Sequence, residues 1–291
     1  MTIAIFGKRI DSDYNYFIYT IIEYLKSNDY KIVFYKPFCD FLNNNGLQIE
    51  CNDTFTCNYD IPQNTNFVFS IGGDGTFLEA VSIVKHLEIP IVGFNSGRLG
   101  FLADISQENI TRGLISIFSG NYTVEERMLI QVEGPKELFT ENNIGLNEFT
   151  IQKSSPQLIT CHTFIDDLYL NSYWADGIII STPTGSTAYS LSAGGPILLP
   201  NLDNFVITPI SPHNLTMRPI VVSGKSKIRI EIEGRDDSCL ASIDSRNAKV
   251  DINMKIFISK AEFKAKILKL KNHDFYSTLR SKLMWGADKR N

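Results

Sequence analysis

One six-residue stretch, Ile71-Gly72-Gly73-Asp74-Gly75-Thr76, constrains this chain more than any other. It follows the apolar run Phe67-Val68-Phe69-Ser70-Ile71, which reads as a buried strand. It precedes Phe77-Leu78-Glu79-Ala80-Val81-Ser82-Ile83-Val84, which has helical spacing. In a strand, glycine turn, helix arrangement, bare backbone can approach a phosphate while helix N–H groups point at it. A lone acid held there can steer a hydroxyl nucleophile or a metal ion, so the motif points to phosphoryl transfer. The chain has no G-x-x-x-x-G-K-[ST] P-loop. It also lacks a G-x-G-x-x-G fingerprint, which counts against an ordinary dinucleotide-binding oxidoreductase.

The first third alternates strand and helix. Strands are expected at 3–6, 31–35, 67–71 and 89–94, and helices at 16–25, through Val84, and at 107–119. That alternation implies a doubly wound parallel sheet whose ligands sit at the carboxyl ends of its strands, where the glycine loop lies. Beyond Tyr122 short strands recur, at 128–132, 147–152, 158–165, 176–181, 206–209 and 227–232, with turns between them. An amphipathic helix at 275–285 closes the chain. The expected fold is therefore an α/β N-terminal domain, residues 1–121, joined by a C-terminal helix at 272–291. Residues 122–271 would form a second, β-rich domain.

Composition narrows the partners. A chain of 291 residues accommodates two cores, and a net charge of −4 with pI near 5.6 argues against a duplex nucleic-acid binder. No apolar stretch approaches the roughly 18 residues that span a bilayer, and the start reads as a strand rather than a signal peptide. The five cysteines are scattered without a CxxC pair and the four histidines are isolated, so neither zinc nor a disulfide is expected. The expected compartment is the cytosol.

A second constellation runs from Asp176 through Gly177-Ile178-Ile179-Ile180-Ser181-Thr182-Pro183-Thr184-Gly185-Ser186-Thr187-Ala188-Tyr189-Ser190. Its branched residues make a buried strand that delivers many hydroxyls into a glycine turn. Buried hydroxyls need partners, which either turn capping or a polar ligand would supply. Tyr189 could stack on a ring. A third feature, Asn147-Glu148, opens a strand with adjacent polar residues.

Taken together, GGDGT at 72–76, Asn147-Glu148, the Asp176–Tyr189 block and Ile207-Thr208-Pro209-Ile210-Ser211-Pro212-His213 resemble the NAD kinase family. Asn95-Ser96-Gly97-Arg98-Leu99-Gly100-Phe101-Leu102 and Leu279-Arg280-Ser281-Lys282-Leu283-Met284-Trp285-Gly286 add to the likeness, which spans nearly the whole chain. The resemblance implies phosphorylation of the 2′-hydroxyl of the adenosine ribose of NAD by ATP or polyphosphate, giving NADP. It implies Mg²⁺ or another divalent cation as cofactor, homodimers or homotetramers, and no membrane or nucleic-acid partner. By the same resemblance Asp74 is catalytic, and Gly72, Gly73, Gly75 and Thr76 face phosphate. Asn147, Glu148, Asp176, Thr184, Thr187, Ala188, Tyr189, Ser192 and Ser211 hold NAD. Arg98 lies in a matching block without an assigned role.

One departure stands out: many relatives have Asp-Gly-Gln where this chain reads Asp244-Ser245-Arg246. An added cation at Arg246 would favour phosphates, altering donor choice or NADP inhibition. Two other readings compete. A lipid kinase shares the GGDGT loop, but it must dock on anionic bilayers and this acidic chain offers no basic amphipathic helix. A catalytically silent NAD sensor would have no use for Asp74.

Overall fold

The computed structural model describes residues 1–285 except 98–99, 135–137, 140–141 and 272–273. Arg98 thus lies outside the described residues. The chain divides into two compact units, Met1–Glu126 with Ala265–Asn291, and Arg127–Lys264.

The first unit runs β1 (Thr2–Gly7), α1 (Asn15–Ser27), β2 (Lys31–Tyr35), α2 (Lys36–Asn44), β3 (Thr54–Phe55), β4 (Thr65–Gly72), α3 (Asp74–Val84), β5 (Ile91–Asn95), β6 (Ile105–Ser106), α4 (Ile110–Phe118) and β7 (Tyr122–Arg127). The second unit contributes β8 (Ile130–Glu133), β9 (Ile144–Gly145), β10 (Glu148–Lys153), β11 (Ile159–Ile165), β12 (Leu168–Ala175), β13 (Gly177–Ser181), α5 (Tyr189–Ser192), β14 (Asn204–Ile210) and β15 (Ile220–Ser223). It continues with β16 (Ile228–Glu233), β17 (Ser238–Ile243), β18 (Arg246–Asp251) and β19 (Lys255–Lys260). The chain then returns to the first unit as β20 (Ala265–Leu270) and α6 (Phe275–Leu283).

In the first unit the strand order is β3-β2-β1-β4-β5-β20-β7, with β6 beside β5. From β3 through β5 and on to β20 each neighbour is parallel. Covered on both faces, its central strands are mostly apolar, and every residue of β1 is buried. On one face Phe17, Ile18, Ile21, Ile22 and Leu25 of α1 and Leu114 and Ile117 of α4 share a core with Ile3, Ile5, Phe69 and Phe94. Outside that cluster α3 buries Phe77, Ala80, Val81 and Val84. The expected parallel α/β fold is therefore present, with the closing helix.

The second unit holds two antiparallel sheets, β15-β14-β13-β10-β17-β18 and β12-β11-β16-β19-β8-β9. Alternate residues of both, among them Phe149, Ile151, Ile178, Ile180, Phe205, Ile207, Ile230, Ile232 and Ile258, form one core. This is the period-2 burial of a sandwich.

Two features differ from sequence expectation. Residues 36–44 form α2, with Pro37 in its first turn, where no pattern was recognised. Cys39 and Cys51 are joined as a disulfide, correcting the expectation of none. Their spacing of 12 residues gave no signal, because the approach depends on Asn43. Its side chain accepts the Ile49 N–H at 2.7 Å and donates to the Ile49 carbonyl at 3.1 Å, folding the segment back along α2.

Gly93 of β5 lies against the backbone of the 102–103 segment: an added Cβ would sit 2.5 Å from Ala103 Cα and 2.9 Å from the Leu102 carbonyl oxygen. Overpacking at backbone costs about 1–3 kcal/mol. Gly93→Ala is therefore expected to lower the unfolding free energy from urea titration by that amount, and an unchanged midpoint would show that the segment yields freely.

Candidate active site

The glycine loop leaves β4 at Gly72, whose φ of +154° and close approach to the Thr76 side chain both require glycine. Asp74 opens α3, with Gly73 as N-cap and no side-chain cap bond, so the acid is not spent on capping. Its carboxylate instead holds the 101–103 backbone. Oδ2 accepts the Phe101 N–H at 2.8 Å, and Oδ1 accepts those of Leu102 at 3.0 Å and Ala103 at 3.2 Å. A Cβ at Gly100 would overlap this carboxylate. At Gly73 and Gly75, by contrast, a Cβ would meet nothing. The protein's own packing does not demand glycine at either position, and the space before the loop is open to a ligand.

In the sheet order, β1 has β2 on one side and β4 on the other, so the direction in which successive strands are added reverses between β1 and β4 while the strands stay parallel. Ligands of open α/β sheets bind at such a switch point, beyond the carboxyl ends of the strands. A cavity of about 790 Å³ is there, walled by Lys8 and Arg9 after β1, Tyr35 and Phe41 beside β2, and Gly75 and Thr76 of the loop. That volume suits a nucleotide-sized ligand. Lys8 pairs with Glu79 of α3 at 2.5 Å, on the cavity wall. On α6, desolvation lowers the pKa of Lys282 while the charge of Asp74 opposes that shift.

The second unit gathers most of the other expected residues. Glu148 begins β10 opposite Ser181 of β13. The turn after β13 folds onto it, because the Thr182 N–H donates to the Asn147 carbonyl at 2.8 Å. Gly185 packs on the Asn147 backbone too closely for any side chain. Glu148 is 8% exposed and its Oε2 has no hydrogen-bond partner; Thr184, also 8% exposed, leaves Oγ1 equally unpartnered. Burial pushes the Glu148 carboxyl up to about 8, with Asp244 adding to the shift and the Tyr189 backbone N–H opposing it. Asp244 is itself raised by burial, but three backbone N–H groups and Arg246 favour its anion. The proton of this pair therefore resides on Glu148.

Asp244 repeats the pattern of Asp74. It accepts the N–H groups of Leu146 at 2.9 Å, Asn147 at 2.8 Å and Glu148 at 3.2 Å. Arg246 donates to the carbonyls of Asn142, at 2.9 Å, and Ile144. Asp176 pairs with Lys153 at 2.5 Å, and its N–H bonds to Ile210, bringing Ser211 alongside. Tyr189 is 38% exposed and its hydroxyl accepts from Gln152 at 2.9 Å. Ala188 donates its N–H to Gly185 at 2.8 Å, and the Thr187 hydroxyl donates to Thr184 at 3.2 Å. Ser192 is exposed on α5.

Most hydroxyls of this block are satisfied internally. Thr182 donates to the Leu146 carbonyl at 2.5 Å and Ser186 to that of Pro183 at 2.7 Å, while Ser190 and Thr208 bond each other at 2.9 Å. Partners within the protein, local to the turn for Ser186 and Thr187 and distant in sequence for Thr182 and Ser190, account for nearly all of these hydroxyls, and Thr184 is the exception. Sequence reasoning missed the roles of Asp244 and of the Phe101–Ala103 backbone, since a backbone donor carries no residue signature.

Comparison with known proteins completes the picture. Residues 25–122 match the ATP-NAD kinase N-terminal domain and residues 146–270 the ATP-NAD kinase C-terminal domain. The chain is 42% identical to an NAD kinase of Cytophaga hutchinsonii over 299 residues, covering 100% of both, and 42% identical to one of Flavobacterium johnsoniae over 294 residues, again covering 100% of both. Among solved structures, an Archaeoglobus fulgidus NAD kinase in complex with ATP superposes with a TM-score of 0.74 at 27% identity, over 97% of this chain and 99% of that one. Yeast NADH kinase complexed with NADH gives 0.84 over 99% of this chain and 89% of that one, and at 23% identity it speaks for the fold alone. By full-length identity and both domain matches, this chain belongs to the NAD kinase family.

Proposed function

We propose that this NAD kinase family member transfers the terminal phosphoryl group of ATP, or of polyphosphate, to the 2′-hydroxyl of the adenosine ribose of NAD, with Asp74 acting on that hydroxyl. One observation carries the assignment of residues. Glu148 Oε2 and Thr184 Oγ1 are buried side-chain atoms without partners, and both lie in the block that the family resemblance assigns to NAD. An unpartnered buried polar atom costs about 1–3 kcal/mol, which a ligand's hydroxyls would relieve. We assign Asn147, Asp176, Thr187, Ala188, Tyr189, Ser192 and Ser211 to the same substrate, and Gly72, Gly73, Gly75 and Thr76 to phosphate.

The donor fits the cavity at the switch point. Its phosphates would meet Gly75, Thr76, Lys8 and Arg9, and its base would lie against Tyr35 or Phe41. Among the described residues no cluster of three acids, histidines or cysteines could cage a metal. A magnesium ion would be held by the donor's phosphate oxygens, and there it would supply charge neutralisation. The ribose oxygen bonds to the terminal phosphorus as the bond to the leaving phosphate breaks. Because the transition state is loose, the hydroxyl proton moves late, and a weak base such as a carboxylate suffices to orient the hydroxyl and accept that proton.

Arg246 we assign to the fold of the 142–146 segment instead of to donor phosphates, because its guanidinium is directed at the Asn142 and Ile144 carbonyls. We further propose a homodimer or homotetramer in the cytosol, where the Cys39–Cys51 bond would be exposed to reducing thiols. Among the described residues no helix is long and apolar enough to cross a membrane.

NADP formation from NAD with ATP or polyphosphate, with and without magnesium, tests the activity, and no product with either donor would reject it. Asp74→Asn should lose about 10²–10⁴-fold in kcat, and turnover within about threefold of wild type would remove Asp74 from its role. Arg246→Gln should lower the melting temperature and leave donor preference and NADP inhibition unchanged; a changed preference would return Arg246 to the donor.

Glu148 has a folded-state pKa near 8, above its unfolded value near 4.5, so the folded protein holds this proton more tightly. The stability it confers is complete below pH 4.5 and drains away as pH rises towards 8. The slope from this one group approaches about 1.4 kcal/mol per pH unit. Glu148→Gln should flatten denaturation midpoints across that window, and a slope equal to wild type would refute the assignment.

A further inference from the structure

We propose that Lys269 is a positioning residue for the transfer reaction, acting on Asp74 through the peptide groups between Phe101 and Ala103. This rests on the reading that Asp74 orients the acceptor hydroxyl. Lys269 lies on β20, on the return of the chain into the first unit, and its side chain is 11% exposed. Its ammonium donates to Asp104 Oδ1 at 2.8 Å, to the Phe101 carbonyl at 3.3 Å and to the Leu102 carbonyl at 3.4 Å. The peptide group whose carbonyl is Phe101 has the Leu102 N–H at its other end. The next peptide pairs the Leu102 carbonyl with the Ala103 N–H.

Those two N–H groups are the donors to Asp74 Oδ1, at 3.0 Å and 3.2 Å. A cation therefore sits at the oxygen end of two peptide groups, and a carboxylate sits at their hydrogen end. Each peptide dipole is aligned between opposite charges, and such chains of hydrogen bonds polarise one another. The same contacts fix where the 101–103 backbone lies, and so the direction in which Asp74 faces. Asp104 balances the buried charge, which unpaired would be costly.

A purely structural lysine would lower stability and leave the chemistry proportionate in every background. A residue acting through Asp74 behaves differently: its effect vanishes once that carboxylate is gone. The experiment is a double-mutant cycle of Lys269→Met and Asp74→Asn, with kcat, both KM values and melting temperature measured on the full-length chain. Lys269→Met alone should reduce kcat at least about tenfold, with the KM for NAD and for ATP within about threefold of wild type. In the Asp74→Asn background the same substitution should cost less than about threefold in kcat.

If Lys269→Met does not fold, Lys269→Gln, which keeps a hydrogen-bond donor but no charge, takes its place in the cycle. Equal losses in the two backgrounds, or a single variant within threefold of wild-type kcat, would overturn the role of Lys269 while leaving the kinase reading intact. A wild-type chain that makes no NADP would instead remove the reading on which the proposal rests.

Discussion

A carboxylate that captures three consecutive backbone N–H groups organises each half of this protein. Asp74 does so for the stretch after β5, and Asp244 for the stretch that leads into β10. Irregular backbone has no ladder to satisfy its donors, and leaving them unpaired inside a protein is costly. An ionised acceptor solves this with charge-assisted bonds, at the cost of placing an anion near the surface of a functional segment. Both functional stretches thus depend on an acid that sequence places far from them.

The consequence for the electrostatics is direct. Burial first, with the charge of Asp244 adding to it, keeps Glu148 protonated. A neutral carboxylic acid both donates and accepts a hydrogen bond, which suits a sugar hydroxyl better than a second anion would. On the other unit, Asp74 engages both carboxylate oxygens in local bonds, so it orients more readily than it deprotonates. A loose phosphoryl-transfer transition state asks no more of it.

Much of this was legible in the residues. The short strands separated by turns beyond Tyr122 and the stripe Phe17-Ile18-Ile21-Ile22-Leu25 are local signals, and the strands and the buried helix face are both present. The glycine loop at the end of β4 was equally plain. What stayed hidden depends on contacts distant in sequence. Asp74 and Phe101 meet only because β4 and β5 pair, and Lys269 reaches Asp104 only because β20 joins the same sheet. The hydroxyl-rich turn after β13 misled in the opposite way: its side chains mostly find partners within the protein, some of them far away in sequence, leaving Thr184 as the one that points to a ligand.

The discontinuity of the first unit bears on biosynthesis. A ribosome emits β1 through β7, then the entire sandwich, and only afterwards the strand that carries Lys269. Domains tend to fold as they emerge, yet this sheet lacks an interior member until the second unit has been made. The nascent polypeptide must hold an unfinished edge open beside β5 throughout that interval. The support behind the nucleophile-directing acid is thus laid down only after the sandwich, which ties catalytic competence to the return of the chain into the first unit.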